Sequence, residues 1–335
     1  MILFLVQGII STMTDDIFID VAQQPKPGDV DFDLERVLSS IVSLRCEVPE
    51  NAFTASSLGV ERNGHGVLIN DSGLILTIGY LTIEASQIWL IDAGGQAIAG
   101  HVLGYDQETG FGLIQALGKL ETPSITLGSS TQAEVGDDVI MAGYGGTDGA
   151  INARIAAKQE FAGYWEYLLS EAIFITPPHP FWGGASLISA KGELIGIGSL
   201  FIQHSRDGQM PFDGNMIVPI DLLKPILNDL LTYGRVNKKP RPWLGTMIAE
   251  SDDRLLIGGV IPDGPTSSSG LEPGDILTAI DGLPVENLPT FLRHLWSRGD
   301  AGVIVTLTIL REDQILEMQV RSADRNEYLL RPNLH

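Results

Sequence analysis

Apolar positions along this chain fall mostly in short runs broken by Gly, Asp, Asn and Pro, and few stretches carry helical spacing, which predicts a largely β architecture. Phe32 to Leu44 reads as a short helix running into a strand. Val67-Leu68-Ile69 and Leu74-Ile75-Leu76-Thr77 flank Asn70-Asp71-Ser72-Gly73, turn chemistry that folds two strands into a hairpin. Ile88 to Ile91 and Ala97 to Val102 flank Asp92-Ala93-Gly94-Gly95 in the same way, and Gly112 to Ala116 adds another strand to this antiparallel set. A second set of similar size begins near Pro123 and takes in Asp138 to Ala142, Ile173 to Ile175, and Ser186 to Ser189 paired with Leu194 to Ile197. Asp221 is then placed as the N-cap of a helix in which Leu222, Leu223, Ile226, Leu227, Leu230 and Leu231 recur at helical spacing, with Pro225 in the first turn and Gly234 as its stop. From Trp243 the pattern restarts as a small α+β unit: strands at Leu255 to Ile261, Asp275 to Ile280, Val303 to Leu310 and Gln314 to Val320, and a helix at Leu288 to Trp296. The divisions expected are an N-terminal segment 1–32, β units at about 33–117 and 118–220, helix and linker 221–241, a small domain 242–324 and a tail 325–335.

Composition agrees with several compact units, because 335 residues with 44% hydrophobic content exceed what one ordinary core holds. A formal net charge of −21 repels phosphate backbones and anionic headgroups, so no nucleic-acid partner is expected, and the short basic cluster Arg235 to Arg241 reads as a solvated linker. The single cysteine, Cys46, excludes an intrachain disulfide and a thiolate metal site, and its surroundings read as a buried strand. No stretch reaches transmembrane length, so no stable membrane anchor is expected. The apolar run Met1 to Ile10 lacks Lys and Arg, and reads either as a degenerate or truncated export signal or as a segment that packs on the folded body.

Several segments together resemble HtrA-type serine proteases. Gly64 to Ile69, a turn, and Gly73 to Thr77 are similar to that family's first-barrel hairpin, but where the family continues Asn-Asn-His-Val this chain has Ile78-Gly79-Tyr80-Leu81. Val102 to Ile114 is similar to the family stretch ending Asp-Pro-Glu-Thr-Asp-Leu-Ala-Val-Leu, and Gly110 stands at the last Asp, a member of the triad. Pro180 to Leu187 resembles the nucleophile segment Gly-Asn-Ser-Gly-Gly-Pro-Leu, with Trp182 where the serine would be. Ile125 to Ser130, Val135 to Asp137 and Ile217 to Leu223 match as well, while Trp243-Leu244-Gly245, Val260 to Pro265 and Gly270 to Leu277 resemble a bacterial PDZ domain. The likeness runs over about residues 33 to 322 without interruption. It implies a mainly β fold, a chymotrypsin-like double six-stranded β-barrel followed by an α+β PDZ domain.

Acyl transfer needs a nucleophile, a base within reach of it, a carboxylate to orient the base and donors for the oxyanion. An indole N–H cannot attack a carbonyl, a phenol with an ordinary pKa near 10 is a poor base at neutral pH, and glycine orients nothing. In the family one oxyanion amide belongs to the residue two before the nucleophile, and Pro180 there has no N–H. The triad positions Tyr80, Gly110 and Trp182 and the oxyanion position Pro180 are therefore expected to carry no catalysis. A rearranged site remains as the alternative, pairing Ser186 with His179. The six histidines lack the i, i+4 spacing of a helical metal site, and neither metal nor cofactor is expected.

Two surfaces are then left for function. Phe181 and Trp182, opposite Tyr80, either plug the former cleft or make a protein-binding surface that Tyr164, Trp165 and Tyr167 extend. By resemblance, Trp243, Leu244, Gly245 and Thr246 form a loop whose amides receive a C-terminal carboxylate, a peptide adds as a strand along Thr246, Met247 and Ile248, and Phe291, Leu292 and Leu295 form the opposite wall. The reading is a catalytically inactive HtrA-like scaffold, regulator or chaperone that binds proteins or peptides through apolar C-termini. The rival reading is an HtrA-type endopeptidase with a rearranged site. The resemblance also implies a periplasmic or cell-envelope location and a trimeric assembly.

Overall fold

The computed structural model describes residues 18–204, 212–251 and 254–330, so Met1 to Ile10 and His335 lie outside the described residues. After a short helix, α1 (Leu34–Leu38), the strands β1 (Ile41–Glu47), β2 (Glu61–Leu68), β3 (Leu74–Ile78), β4 (Gln87–Ile91), β5 (Ala97–Tyr105) and β6 (Phe111–Ala116) close into a barrel in the order β1–β2–β3–β6–β5–β4. The β2–β3 turn forms as its sequence predicts: Asn70 Oδ1 accepts from the N–H groups of Ser72 and Leu74, each at 3.0 Å. Along β1 the pleat turns Leu44 and Cys46 inward and Arg45 outward. Burial pushes the Cys46 thiol up to about 12, which leaves it un-ionised at neutral pH.

A second barrel follows in the order β10–β11–β12–β9–β8–β7, from β7 (Asp138–Ala142), β8 (Ala150–Gly163), β9 (Tyr167–Thr176), β10 (Ser186–Ile188), β11 (Leu194–His204) and β12 (Phe212–Pro219). β8 and β9 make a long hairpin that pairs Phe161 with Leu169 and Gly163 with Tyr167, so its tip is Tyr164-Trp165-Glu166. One apolar cluster spans both barrels, including Leu76 and Phe111 of the first and Leu200 and Val218 of the second, while a separate core around Met141 and Ile217 lies within the second barrel.

One local expectation is corrected and another refined. The helix predicted from Asp221 starts later, as Leu227–Tyr233, after a 3-10 turn at Ile220–Leu222. Asp221 does not cap it; its carboxylate accepts from Ser129 Oγ at 2.8 Å, Thr131 N–H at 2.9 Å and Lys224 Nζ at 2.5 Å, and ties this turn to the loop before β7. Gly234 does end the helix in the left-handed region, at φ 71°, donating to Leu230. The basic cluster is exposed, as expected of a solvated linker, and it is also tethered. Lys238 and Arg241 both pair with Glu108, at 2.6 and 2.7 Å, Lys239 pairs with Asp300, and the Arg241 guanidinium lies 4.4 Å from the centre of the Trp296 ring.

The last unit is a sheet ordered β13–β14–β15–β17–β18, from β13 (Thr246–Ser251), β14 (Arg254–Val260), β15 (Ile276–Ile280), β17 (Ile304–Arg311) and β18 (Gln314–Arg321), with the two-residue β16 (Leu283–Pro284) on β15. Its helix, Leu288–Trp296, occupies the span its pattern predicts, because the Asn287 side chain caps it by accepting from Thr290 N–H at 2.9 Å. Phe291, Leu292 and Leu295 on its inner face are buried with Leu244, Ile248 and Leu307.

Candidate functional site

The cleft between the barrels is built from turns at the ends of β3, β6 and β9. Tyr80 sits in a 3-10 turn, Gly79–Leu81, and its hydroxyl crosses to the second barrel to donate to the Ser199 carbonyl at 2.9 Å. The turn is held from behind by the buried Arg62, which donates to the carbonyls of Tyr80 and Ile83, each at 2.9 Å. Burial pushes the Tyr80 phenol far above its ordinary value, so the hydroxyl acts as a donor and not as a base. Gly110 has φ +82°, its carbonyl accepts from Gly79 N–H at 2.6 Å, and the Tyr167 hydroxyl donates to the neighbouring Thr109 carbonyl at 2.6 Å. A Cβ at Gly110 would lie 3.3 Å from that hydroxyl oxygen, so Tyr167 fills the space beside this position.

Trp182 turns toward the second barrel, its ring 5.5 Å from that of Phe201 and packed on the core lined by Met141 and Ile217, while Phe181 is 41% exposed. Pro180 contributes no N–H, and the Phe181 N–H turns inward to donate to His179 Nδ1 at 3.0 Å. Because His179 Nδ1 accepts, its proton resides on Nε2, which donates to the Gly149 carbonyl at 2.9 Å. Both nitrogens of this buried loop histidine are thus committed. Ser186 is wholly buried in the second barrel and its Oγ has no hydrogen-bond partner among the described residues. His65, half-buried, accepts from Tyr144 N–H through Nδ1 at 3.0 Å. No group of three or more His, Cys, Asp or Glu that would hold a metal occurs among the described residues.

The second place of interest is the loop Trp243–Thr246 at the start of β13. The N–H groups of Leu244, Gly245 and Thr246 converge on one oxygen, Oε1 of Glu166 at the tip of the β8–β9 hairpin, at 3.1, 2.9 and 3.2 Å. Ile248 N–H donates to the Tyr164 carbonyl at 3.0 Å. Burial pushes the Glu166 carboxyl up to about 7, against the pull of the three amides and the Thr246 hydroxyl. A cavity of about 90 Å³ opens beside this contact, lined by Glu108, Glu166, Arg241, Trp243 and Trp296, and none of Tyr80, Gly110 or Trp182 lines it.

Residues 64–197 match the trypsin-like peptidase domain and residues 242–321 the PDZ domain. The chain is HtrA-like, a trypsin-like peptidase domain followed by a PDZ domain. It is 27% identical over 273 residues to a probable periplasmic serine endoprotease DegP-like of Pseudomonas putida, a match covering 77% of this chain and 55% of that protein. It is 25% identical over 286 residues to the serine endoprotease DegS of Escherichia coli, covering 81% of this chain and 79% of DegS. The chain spans about half the length of the DegP-like relatives it matches. Its fold is that of the solved HtrA-type protease AlgW with tripeptide, at a TM-score of 0.50 and 20% identity over 87% of this chain and 95% of that one.

In this HtrA-like frame Tyr164, Trp165 and Tyr167 do not extend the inter-barrel cleft: the first two form the hairpin tip at the PDZ domain, and Tyr167 is buried under Gly110. Glu166 went unremarked in the sequence, where its only signal is a lone acid among three aromatics. The closeness of His65 to His179 was also unremarked, and it has a measurable consequence. Burial and the neighbouring His179 push His65 from 6.5 down to about 3. The unfolded chain therefore takes up a proton here below about pH 6.5 that the folded chain refuses until about pH 3, and stability falls as pH falls through that window. In urea unfolding at pH 7, 5.5 and 4.5, His65→Gln is expected to lose less stability on acidification than the parent, the difference approaching about 1.4 kcal/mol per pH unit below pH 6. Parallel pH curves would contradict the assignment.

No helix among the described residues is long and apolar enough to cross a membrane.

Proposed function

We propose that this HtrA-like chain no longer cleaves peptide bonds and works by binding, as a scaffold, regulator or chaperone for proteins or peptides in the cell envelope, assembled as a trimer. The supporting observation is that the hydroxyl at the base position is spent on a bridge between the barrels, Tyr80 to Ser199, so the cleft is tied shut by the residue that would have to take up the proton. The indole of Trp182, the missing side chain at Gly110 and the missing amide at Pro180 act in the same direction. Binding falls to the PDZ domain, whose Leu244–Thr246 amides suit a carboxylate and whose β13 suits an added strand. The rival endopeptidase would need Ser186 to reach solvent and His179 to release either Phe181 or Gly149.

Treating the purified full chain with a fluorophosphonate probe tests the proposal. No labelled serine is expected, and casein incubated with the chain is expected to stay intact. An adduct on any serine of residues 1–218 overturns the reading.

A further inference from the structure

The loop that would receive a ligand carboxylate already holds one, and it comes from this chain. Glu166 Oε1 is bound by all three amides of Leu244, Gly245 and Thr246, and Oε2 also accepts from Leu244 at 3.1 Å. Two residues before Glu166, the Tyr164 carbonyl accepts from Ile248, which lies two residues beyond Thr246 on β13. Backbone groups on one edge of a strand recur every second residue, so pairing 164 with 248 and 166 with 246 is the register of an antiparallel strand added to β13. The hairpin tip therefore meets the groove as the last three residues of an extended peptide would, with the Glu166 side-chain carboxylate standing in for the main-chain one.

Contacts further back hold the hairpin in place. Ala162 and Leu168 pack on the apolar cluster that contains Phe291, Leu292 and Leu295, and Glu160 pairs with Arg293 of the helix opposite β13. Glu166 also has φ 62°, in the left-handed region that a non-glycine residue occupies only at an energetic cost. Its ring of amide donors, buried from water, offsets that cost.

We infer that the PDZ groove is a self-ligated site, occupied by the tip Tyr164–Glu166 of the same chain, and that a peptide with a free C-terminal carboxylate enters only by displacing Glu166. Occupancy stands on the hydrogen bonds alone, while displacement rests on the reading of the PDZ domain as a peptide-binding module. A tethered ligand acts at an effective concentration in the millimolar range, so a peptide added at micromolar concentration meets mostly closed grooves.

Two measurements on the full chain separate these statements. Glu166→Asn removes the carboxylate from reach while tolerating the left-handed backbone, and Glu166→Gln keeps the length without the charge. Amide hydrogen exchange reads occupancy: Leu244, Gly245 and Thr246 are expected to be protected in the parent and to exchange at least about tenfold faster in Glu166→Asn, with Glu166→Gln between them. Equal exchange in all three proteins overturns self-ligation. Fluorescence anisotropy with an N-terminally labelled Gly-Gly-Ala-Gly-Tyr-Trp-Leu peptide reads displacement. Its affinity is expected to rise about 10- to 100-fold from parent to Glu166→Asn, and its C-terminal amide is expected to bind neither. Equal, measurable affinity for parent and variant overturns displacement. No binding to any variant whose amides have lost protection overturns both displacement and the peptide-binding reading, and leaves the internal ligand as the groove's only occupant.

Discussion

Replacing Tyr80→His, Gly110→Asp and Trp182→Ser together is expected to leave casein uncut, even though the three substitutions supply every side chain of a serine-protease triad. The amide missing at Pro180 is one reason: loss of a single oxyanion donor costs about 3 kcal/mol of transition-state stabilisation, a factor of 10² to 10³. The Phe181 N–H cannot replace it, being turned inward to His179. The second reason lies at position 110, where a Cβ would sit 3.3 Å from the Tyr167 hydroxyl and the backbone is left-handed. A carboxylate there has to push Tyr167 off the Thr109 carbonyl before it can orient an imidazole. Misplacement of a catalytic group by about 1 Å can by itself cost about 10² in rate. Tyr80→His also removes the 2.9 Å bridge to Ser199, which loosens one barrel against the other. Adding Pro180→Gly to the triple variant restores the donor, and any cleavage that becomes measurable should appear first in that quadruple variant. Robust cleavage by the triple variant alone would show that the amide matters less than the geometry implies.

Parts of this molecule were legible in the sequence because the interactions that make them are local. The turn at Asn70 closes through bonds two and four residues away, and the helix Leu288–Trp296 is capped three residues from its first donor. Short apolar runs bounded by turn residues placed most barrel strands, and short motifs picked out Tyr80, Gly110, Trp182 and the Trp243–Thr246 loop. What escaped notice depends on distant partners. Asp221 carries the local signature of an N-cap, yet its carboxylate is taken by a loop 90 residues earlier in the chain, which moves the helix start to Leu227. Glu166 is an acid at a hairpin tip, and only the fold brings amides 78 to 80 residues away against it. The inward turn of Trp182 onto Phe201 is of the same kind, since the motif marks the position and packing chooses the direction of the ring. Charge followed this rule too: the basic cluster at 235–241 is pinned by Glu108 and Asp300, acids far off in sequence.

The largest stability effect is expected at Arg62, a buried cation that no motif singled out. Its guanidinium lies inside the first barrel and donates to the Gly59, Tyr80 and Ile83 carbonyls and to Thr54 Oγ1, at 3.1, 2.9, 2.9 and 2.8 Å. Thr54 in turn donates to Glu84, whose carboxylate also accepts from the N–H groups of Phe53, Thr54 and Leu330. Burial pulls Arg62 down to about 10 despite the nearby Glu84, so the guanidinium stays charged at neutral pH and balances a carboxylate that is itself out of water. Arg62→Met keeps much of the volume but strands three carbonyls and leaves Glu84 uncompensated. Arg62 reaches Glu84 through Thr54 and not by direct contact, and leaving a buried charge uncompensated in this way costs about 3–5 kcal/mol, a large part of the 5–15 kcal/mol that typically holds a domain folded. Calorimetry should show a Tm lower by roughly 10 °C for the peptidase domain. The double variant Arg62→Met, Glu84→Gln should recover part of the loss, because the buried negative charge is gone, and not all of it, because the carbonyls of Gly59, Tyr80 and Ile83 still lack donors. Since one of those carbonyls belongs to Tyr80, the same substitution should also free the turn that carries the hydroxyl to Ser199. Faster exchange of the Gly79–Thr82 amides in Arg62→Met, beyond what the lowered global stability accounts for, would show that the buried arginine positions the barrel-to-barrel bridge. A Tm unchanged within 2 °C in the single variant would show that the charge is not needed to hold this part of the barrel together.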